Sequence, residues 1–262
     1  MNPRPTVAAR LRATHARWRR QLACPGPREA RVHSARVVLK EARAVVRLYR
    51  GRVEKFQASR WGDRLRAAMR ALAPSRDDVV TRAVLLSCAE ALPNAEDRTA
   101  VRRALPHPQP PEATALSAVA PLIEELVADW KSSVVAAGWE PADAALAASR
   151  HALAKLQSRV ARSDEADLWH RRRRRVKELA FQLDWAHPPV PSDWQRLRAA
   201  AWRLQSHLGA LQDRHVTLAR LDQLDLPAPL ARSLRRALKR SVREASERAW
   251  HDRLRRRELR GS

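Results

Sequence analysis

Residues 168–181 read LWHRRRRRVKELAF. The stretch has helical spacing and contains neither glycine nor proline, yet Arg171 to Arg175 are five arginines in succession. A helix advances about 100° per residue, so five consecutive side chains go all the way round it. At least one of these guanidinium groups must therefore point at whatever the helix packs on. Arginine stays charged there, so the packing surface has to supply a partner for it.

A similar pattern stands earlier in the chain. With His33 at zero on a helical wheel of residues 29–50, Arg36, Lys40, Arg43, Arg47 and Arg50 fall within about 100° on one side. Val37, Val38, Leu39, Ala42, Ala44, Val45, Val46, Leu48 and Tyr49 occupy most of the remaining circumference. So wide an apolar arc predicts a mostly buried helix with one narrow, almost purely basic stripe. Glu41 points away from the stripe, and Glu29, in the first turn, falls near it. In 165–186, His170, Arg173, Arg174 and Lys177 share a face opposite Val176, Leu179 and Leu183. Ala180 and Asp184 replace the later basic positions, so this second stripe is shorter, and Arg171, Arg172 and Arg175 are expected at the rim or in solvent. Two such stripes facing one space repel each other unless an anion lies between them. Two independent solvated basic faces are the alternative.

The likeness extends to neighbouring segments. "THARWRRQL" from Thr14 and "RHALAKLQS" from Arg150 align at an offset of 136, placing His15 on His151 and Arg19 on Lys155. "VHSARVVLKEAR" from Val32 and "WHRRRRRVKELA" from Trp169 align at 137, placing His33 on His170, Arg36 on Arg173 and Lys40 on Lys177. "PSRDDVVTRAVL" from Pro74 and "ALQDRHVTLARL" from Ala210 return to 136, with Asp77 on Asp213 and Thr81 on Thr217. Three pairings in one order at nearly one offset predict two related helical halves. The divide is placed in LPHPQPPE, Leu105–Glu112, giving halves 1–108 and 109–262.

Composition bounds the partner. The chain has 262 residues, is 45% hydrophobic and carries a formal net charge of +24. It is therefore a folded protein rather than a basic tail, and a polyanion would relieve its self-repulsion. Codon bias can account for the choice of arginine over lysine but not for its placement. With six glycines and apolar residues recurring at three and four, helices are expected at 6–23, 29–50, 52–72, 76–91, 95–104, 113–137, 142–162, 165–186, 193–208, 212–225 and 228–256. Ser75, with Asp77 and Asp78 in the first turn, is expected to start its helix, and His187–Pro189 to break the chain. The result is an all-α fold. The last helix adds a third stripe, Arg232, Arg235, Arg236, Lys239, Arg240 and Arg243, before a basic tail at Arg253–Arg257. Two cysteines, no membrane-length apolar run and no apolar leader point to a reducing, cytoplasmic setting without a membrane partner.

Catalytic and metal chemistry find little support. His33 and His170 sit beside basic stripes that repel a metal cation, and no His-Glu-x-x-His or Cys-x-x-Cys occurs. His207 and His215 are separated by an expected helix break. No glycine-rich phosphate loop or nucleophile motif is present, so no cofactor, no metal and no catalytic residue are expected. Asp77 and Asp213 are read as helix starts or arginine partners rather than bases. The nine tryptophans, among them Trp18, Trp61, Trp169 and Trp202, are read as core rather than as base-stacking platforms.

His-x-x-Arg-x-x-x-Lys, present as His33/Arg36/Lys40 and as His170/Arg173/Lys177, resembles the signature of the CHAD domain, the conserved-histidine α-helical domain. SRDDVV at Ser75 and LGALQDRHV at Leu208 resemble that family's second signature, and the likeness runs over roughly residues 6–250. The resemblance implies two four-helix-bundle halves related by a pseudo-twofold axis, with connecting and C-terminal helices added here. It implies a central basic channel or groove that binds inorganic polyphosphate, and association with polyphosphate granules. By position the ligand-facing residues are then His33, Arg36, Lys40, Arg43, His170, Arg173 and Lys177, to which the wheel adds Arg47 and Arg174 and the third stripe adds Arg232, Arg236 and Lys239. Ala180 stands where the first half has Arg43, so an asymmetric site is expected. No alternating Glu-x-Glu-x-Lys strand of an attached CYTH triphosphatase-type domain is seen, which suggests a standalone, non-enzymatic module. A non-specific nucleic-acid-binding protein and, behind it, a phosphohydrolase of short polyphosphates are the rival readings. Oligomeric state is not legible.

Overall fold

The computed structural model describes residues 4–51, 55–72, 74–105, 113–160, 166–186 and 192–251. Among these residues the fold is all-helical: α1 (Val7–Ala23), α2 (Arg28–Leu48), α3 (Lys55–Ala71), α4 (Pro74–Glu90), α5 (Ala95–Ala104), α6 (Ala113–Ser117), α7 (Val119–Ala137), α8 (Glu140–Val160), α9 (Ala166–Ala186), α10 (Ser192–Arg220), a 3-10 turn at Leu221–Gln223, and α11 (Ala228–His251). The break at 187–189, most of the linker, the tail at 253–257 and the side chains of Ser75 and Asp77 lie outside the described residues.

Helix ends follow local chemistry. Thr6 Oγ1 accepts the Ala9 amide at 3.2 Å and starts α1, and Asn94 Oδ1 accepts the Glu96 amide at 2.9 Å and starts α5. α7 stops at Gly138, whose φ of 67° needs a residue without a Cβ. Two expected boundaries are corrected. The span 113–137 is two helices, because Pro121 lacks the amide that would bond the Ser117 carbonyl and its ring crowds that carbonyl. The expected break between 208 and 212 is absent. Gly209 costs only about 1 kcal/mol inside a helix, and Leu204, Leu208 and Leu211 hold one buried stripe through it.

The chain forms two compact units. One gathers α1, α2, α3, α6, α7, α8, α9 and the start of α10 through Trp202; the other gathers α4, α5, α10 from Arg203, the 3-10 turn and α11. Each unit thus takes helices from both sides of the 108/109 divide. In the first, α2 buries Val32, Ala35, Val38, Leu39, Ala42, Val45 and Val46, and packs on α1, α3, α8 and α9. Tyr49 is fully buried, meets the Trp130 and Trp185 rings edge-on and donates to the Gly138 carbonyl at 3.1 Å. In the second, Leu85, Ala89, Val101, Leu105, Leu221, Leu230, Leu234 and Leu238 form one core.

Glu41 is the buried carboxylate of the first core. It accepts from Arg17 and, at 2.9 Å, from the Trp18 indole N–H. Glu41→Ala strands that indole donor in apolar surroundings. Arg17 is 40% exposed and regains water, so the cost stays nearer that of one unmade buried hydrogen bond than of a broken buried ion pair. The expected loss is about 2 kcal/mol, read from denaturant unfolding; a loss below about 0.5 kcal/mol contradicts this account.

Candidate anion-binding site

α2 and α9 pack against each other within the first unit. On α2, His33 is exposed while Arg36, Lys40, Arg43 and Arg47 are half-buried; on α9, His170, Arg173 and Lys177 are half-buried and Arg174 is exposed. An exposed His33 is not a packing histidine. Ala180 is buried and contributes no charge, as its place in the repeat predicts.

Arg43 reports what surrounds it. Its pKa is held below the ordinary arginine value, first by burial and then by the charges of Arg47, Arg66 and Arg174, with Glu178 acting in the opposite sense. These arginines come from α2, α3 and α9, so three helices bring guanidinium groups into one region. Glu178 accepts from Arg47 across the helix pair, Arg175 Nη1 stands 3.7 Å from the same oxygen, and the Glu178 side chain is only 10% exposed. Arg66 also pairs with Asp63 on its own helix.

Arg36 has a different task. Its Nη1 donates to the Leu72 carbonyl at 2.8 Å and the Met69 carbonyl at 3.3 Å, at the C-terminal end of α3. A cation there satisfies orphaned carbonyls and meets the negative end of the helix dipole. Arg10 does the same for α9, donating to the carbonyls of Asp184 and, at 2.7 Å, Trp185, while Arg4 reaches that of Ala186. Burial, followed by Arg17, holds the Arg10 pKa below its usual value.

The five-arginine run is now resolved. Arg171, Arg174 and Arg175 are exposed and Arg173 is half-buried, but Arg172 is fully buried. Its placement at the rim is thereby corrected: Arg172 is the residue that faces the packing surface. Its guanidinium carbon lies 5.2 Å from the centre of the Trp169 ring, one turn back on the same helix, a cation–π contact.

Arg232, Arg236 and Lys239 are exposed on α11, opposite buried Leu230, Leu234 and Leu238, and belong to the second unit. Asp184 is occupied by Arg198 and by the Trp202 indole at 3.1 Å. Among the described residues no cluster of three or more His, Cys, Asp or Glu side chains is placed to hold a metal ion. His207 and His215 lie on one uninterrupted helix. Trp18, Trp61, Trp130 and Trp185 are buried. No helix among the described residues is long and apolar enough to cross a membrane.

The sequence reading missed Arg66 and Glu178. Arg66 is invisible without the fold, because α3 carries no copy of the motif. Glu178 did leave a signal: it follows Lys177 as Glu41 follows Lys40, so the repeated motif extends to His-x-x-Arg-x-x-x-Lys-Glu.

The family model of the CHAD domain matches residues 6–222, including both copies of the histidine motif. The chain belongs to the CHAD family. No curated protein and no solved structure matches it. α11 starts after the matched stretch, so Arg232, Arg236 and Lys239 draw no support from the family.

Two measurements separate structural from site residues. Arg36→Ala is expected to lower stability by about 1–2 kcal/mol through the lost α3 carbonyl partners, whereas Arg43→Ala removes repulsion and leaves the melting temperature unchanged or raised at low salt. The reverse order in thermal unfolding contradicts these assignments. Burial lowers the His215 pKa from its ordinary value of 6.5. Below that value the unfolded chain takes up a proton that the fold resists, so stability is lost as pH falls from about 6.5 toward the lower folded value. His215→Gln should flatten the fall in melting temperature between about pH 7 and pH 5. An unaltered slope contradicts the assignment to His215.

Proposed function

We propose that this CHAD protein binds inorganic polyphosphate and is a binding module rather than an enzyme. The observation that carries the reading is the crowding at Arg43, where Arg47, Arg66 and Arg174 act on one guanidinium from three helices. Like charges brought together in a partly buried place raise the energy of the empty protein, and a chain of phosphates lowers it by neutralising several at once. In this reading the stripes of α2 and α9 form two walls of a basic groove between related helical halves. Arg43, Arg47, Lys40, Arg174 and Lys177 grip successive phosphates, His33 and His170 donate at the ends, and Arg36 and Arg173 hold the frame as well as lending charge. The exposed row on α11 adds general attraction. Association with polyphosphate granules in the cytoplasm follows from the same ligand. Buried tryptophans support this reading over base stacking on nucleic acid.

The test is thermal unfolding with long-chain polyphosphate, triphosphate and duplex DNA at equal phosphate concentration and near-physiological salt. A ligand at a hundredfold excess over its Kd stabilises by about 2.7 kcal/mol, equivalent to a rise of about 5–10 °C for a chain of this size. Long polyphosphate is expected to give such a rise and the other two little. Arg43→Glu combined with Arg174→Glu should abolish it without lowering the unliganded melting temperature. Equal shifts with DNA and polyphosphate, or an unchanged double variant, refute the site.

A further inference from the structure

Glu178 is a carboxylate set among cations. Its side chain is 10% exposed, it spans α2 and α9 by accepting from Arg47, and Arg175 approaches the same oxygen at 3.7 Å. It is also the acid whose charge acts on Arg43, against Arg47, Arg66 and Arg174. Glu41, its counterpart in the repeat, instead faces α1 and is held by Arg17 and the Trp18 indole. The same motif position therefore carries a core partner in the first copy and an acid inside the basic cluster in the second.

A carboxylate on a guanidinium makes the same contacts as one phosphate oxygen pair, a charge-assisted hydrogen bond to a planar fork. Arg47 and Arg175 cannot serve Glu178 and a phosphate equally at the same time. We propose that Glu178 is a built-in competitor: it holds Arg47 and Arg175 in the empty protein, and an incoming anion must displace it, so it sets which anions bind. This rests on the proposed polyphosphate reading. A triphosphate brings too few further contacts to offset the displacement, whereas a long chain engages Arg43, Arg174 and Lys177 as well and gains effective concentration from each linked phosphate. Glu178 is then a selectivity residue, and the preference for long chains comes from the acid as much as from the arginines.

The experiment is a titration of wild type, Glu178→Gln and Glu178→Asp with triphosphate and with long-chain polyphosphate across a salt series. Glu178→Gln is expected to lower the unliganded melting temperature, because it removes the internal counter-charge. It should also tighten triphosphate by roughly tenfold, tighten long polyphosphate by less, and steepen the dependence of log Kd on log salt by about one. Glu178→Asp keeps the charge but withdraws it from Arg47, and it should tighten triphosphate to an intermediate degree while folding as wild type does. If wild type binds long polyphosphate and neither variant changes triphosphate affinity or the salt slope, Glu178 is only a structural ion pair and the inference fails. If wild type binds no polyphosphate, the proposed function itself fails, and the inference with it.

Discussion

The first unit depends on how charge is disposed of when α2 and α9 pack. Both helices bury most of their circumference, so basic side chains at their edges lose water whether or not a ligand is present. Each such cation needs a substitute for its hydration. Three substitutes are used: a carboxylate, as for Arg17 on Glu41 and Arg47 on Glu178; the carbonyls of a helix C-terminus, as for Arg36 on α3 and Arg10 on α9; and an aromatic face, as for Arg172 near Trp169. Arg43 stands apart, because the groups that act on it are chiefly other arginines.

Much of this was legible in the chain. Scarce glycine and a three-and-four apolar rhythm gave the helices, and the repeated histidine motif singled out α2 and α9 before any coordinates. The breaks were less secure where two local signals conflicted. Gly209 reads as a stop, yet the leucine stripe around it outweighs the small cost of glycine. Pro121 lies in an otherwise continuous pattern, and its effect falls four residues earlier, at Ser117. Arg172 was misplaced because a wheel ranks residues by hydropathy, and a cation–π partner one turn away on the same helix does not enter that ranking. Arg66 required the fold, since nothing in α3 announces that it belongs with α2.

The arrangement of units adds to the meaning of the repeat. α1 and α8, α2 and α9 are repeat counterparts, and all lie in the first unit; α4 and the later part of α10 are counterparts in the second. Duplicated segments therefore associate with their own copies. The second unit closes over the long intervening stretch from 111 to 202. Closure entropy rises only logarithmically, by about 0.6 kcal/mol per doubling of loop length, so this interleaving costs little stability and acts mainly on folding rate.

Counting basic residues overstates a ligand site in such a protein. Arg36 and Arg43 belong to one stripe, one motif and one helix, and on a wheel they are equivalent. Their surroundings differ in kind: Arg36 completes α3, while Arg43 is crowded by like charge. A residue whose charge is already answered by the fold gives an incoming anion less than one whose charge is opposed. By that criterion the binding strength of the stripes lies toward Arg43, Arg47 and Arg174. The signature arginines Arg36 and Arg173 then matter first by setting the frame. A duplicated motif can keep its arginines for architecture and still diverge at the neighbouring positions, as Arg43 against Ala180 and Glu41 against Glu178 do, and it is at those positions that ligand preference is set.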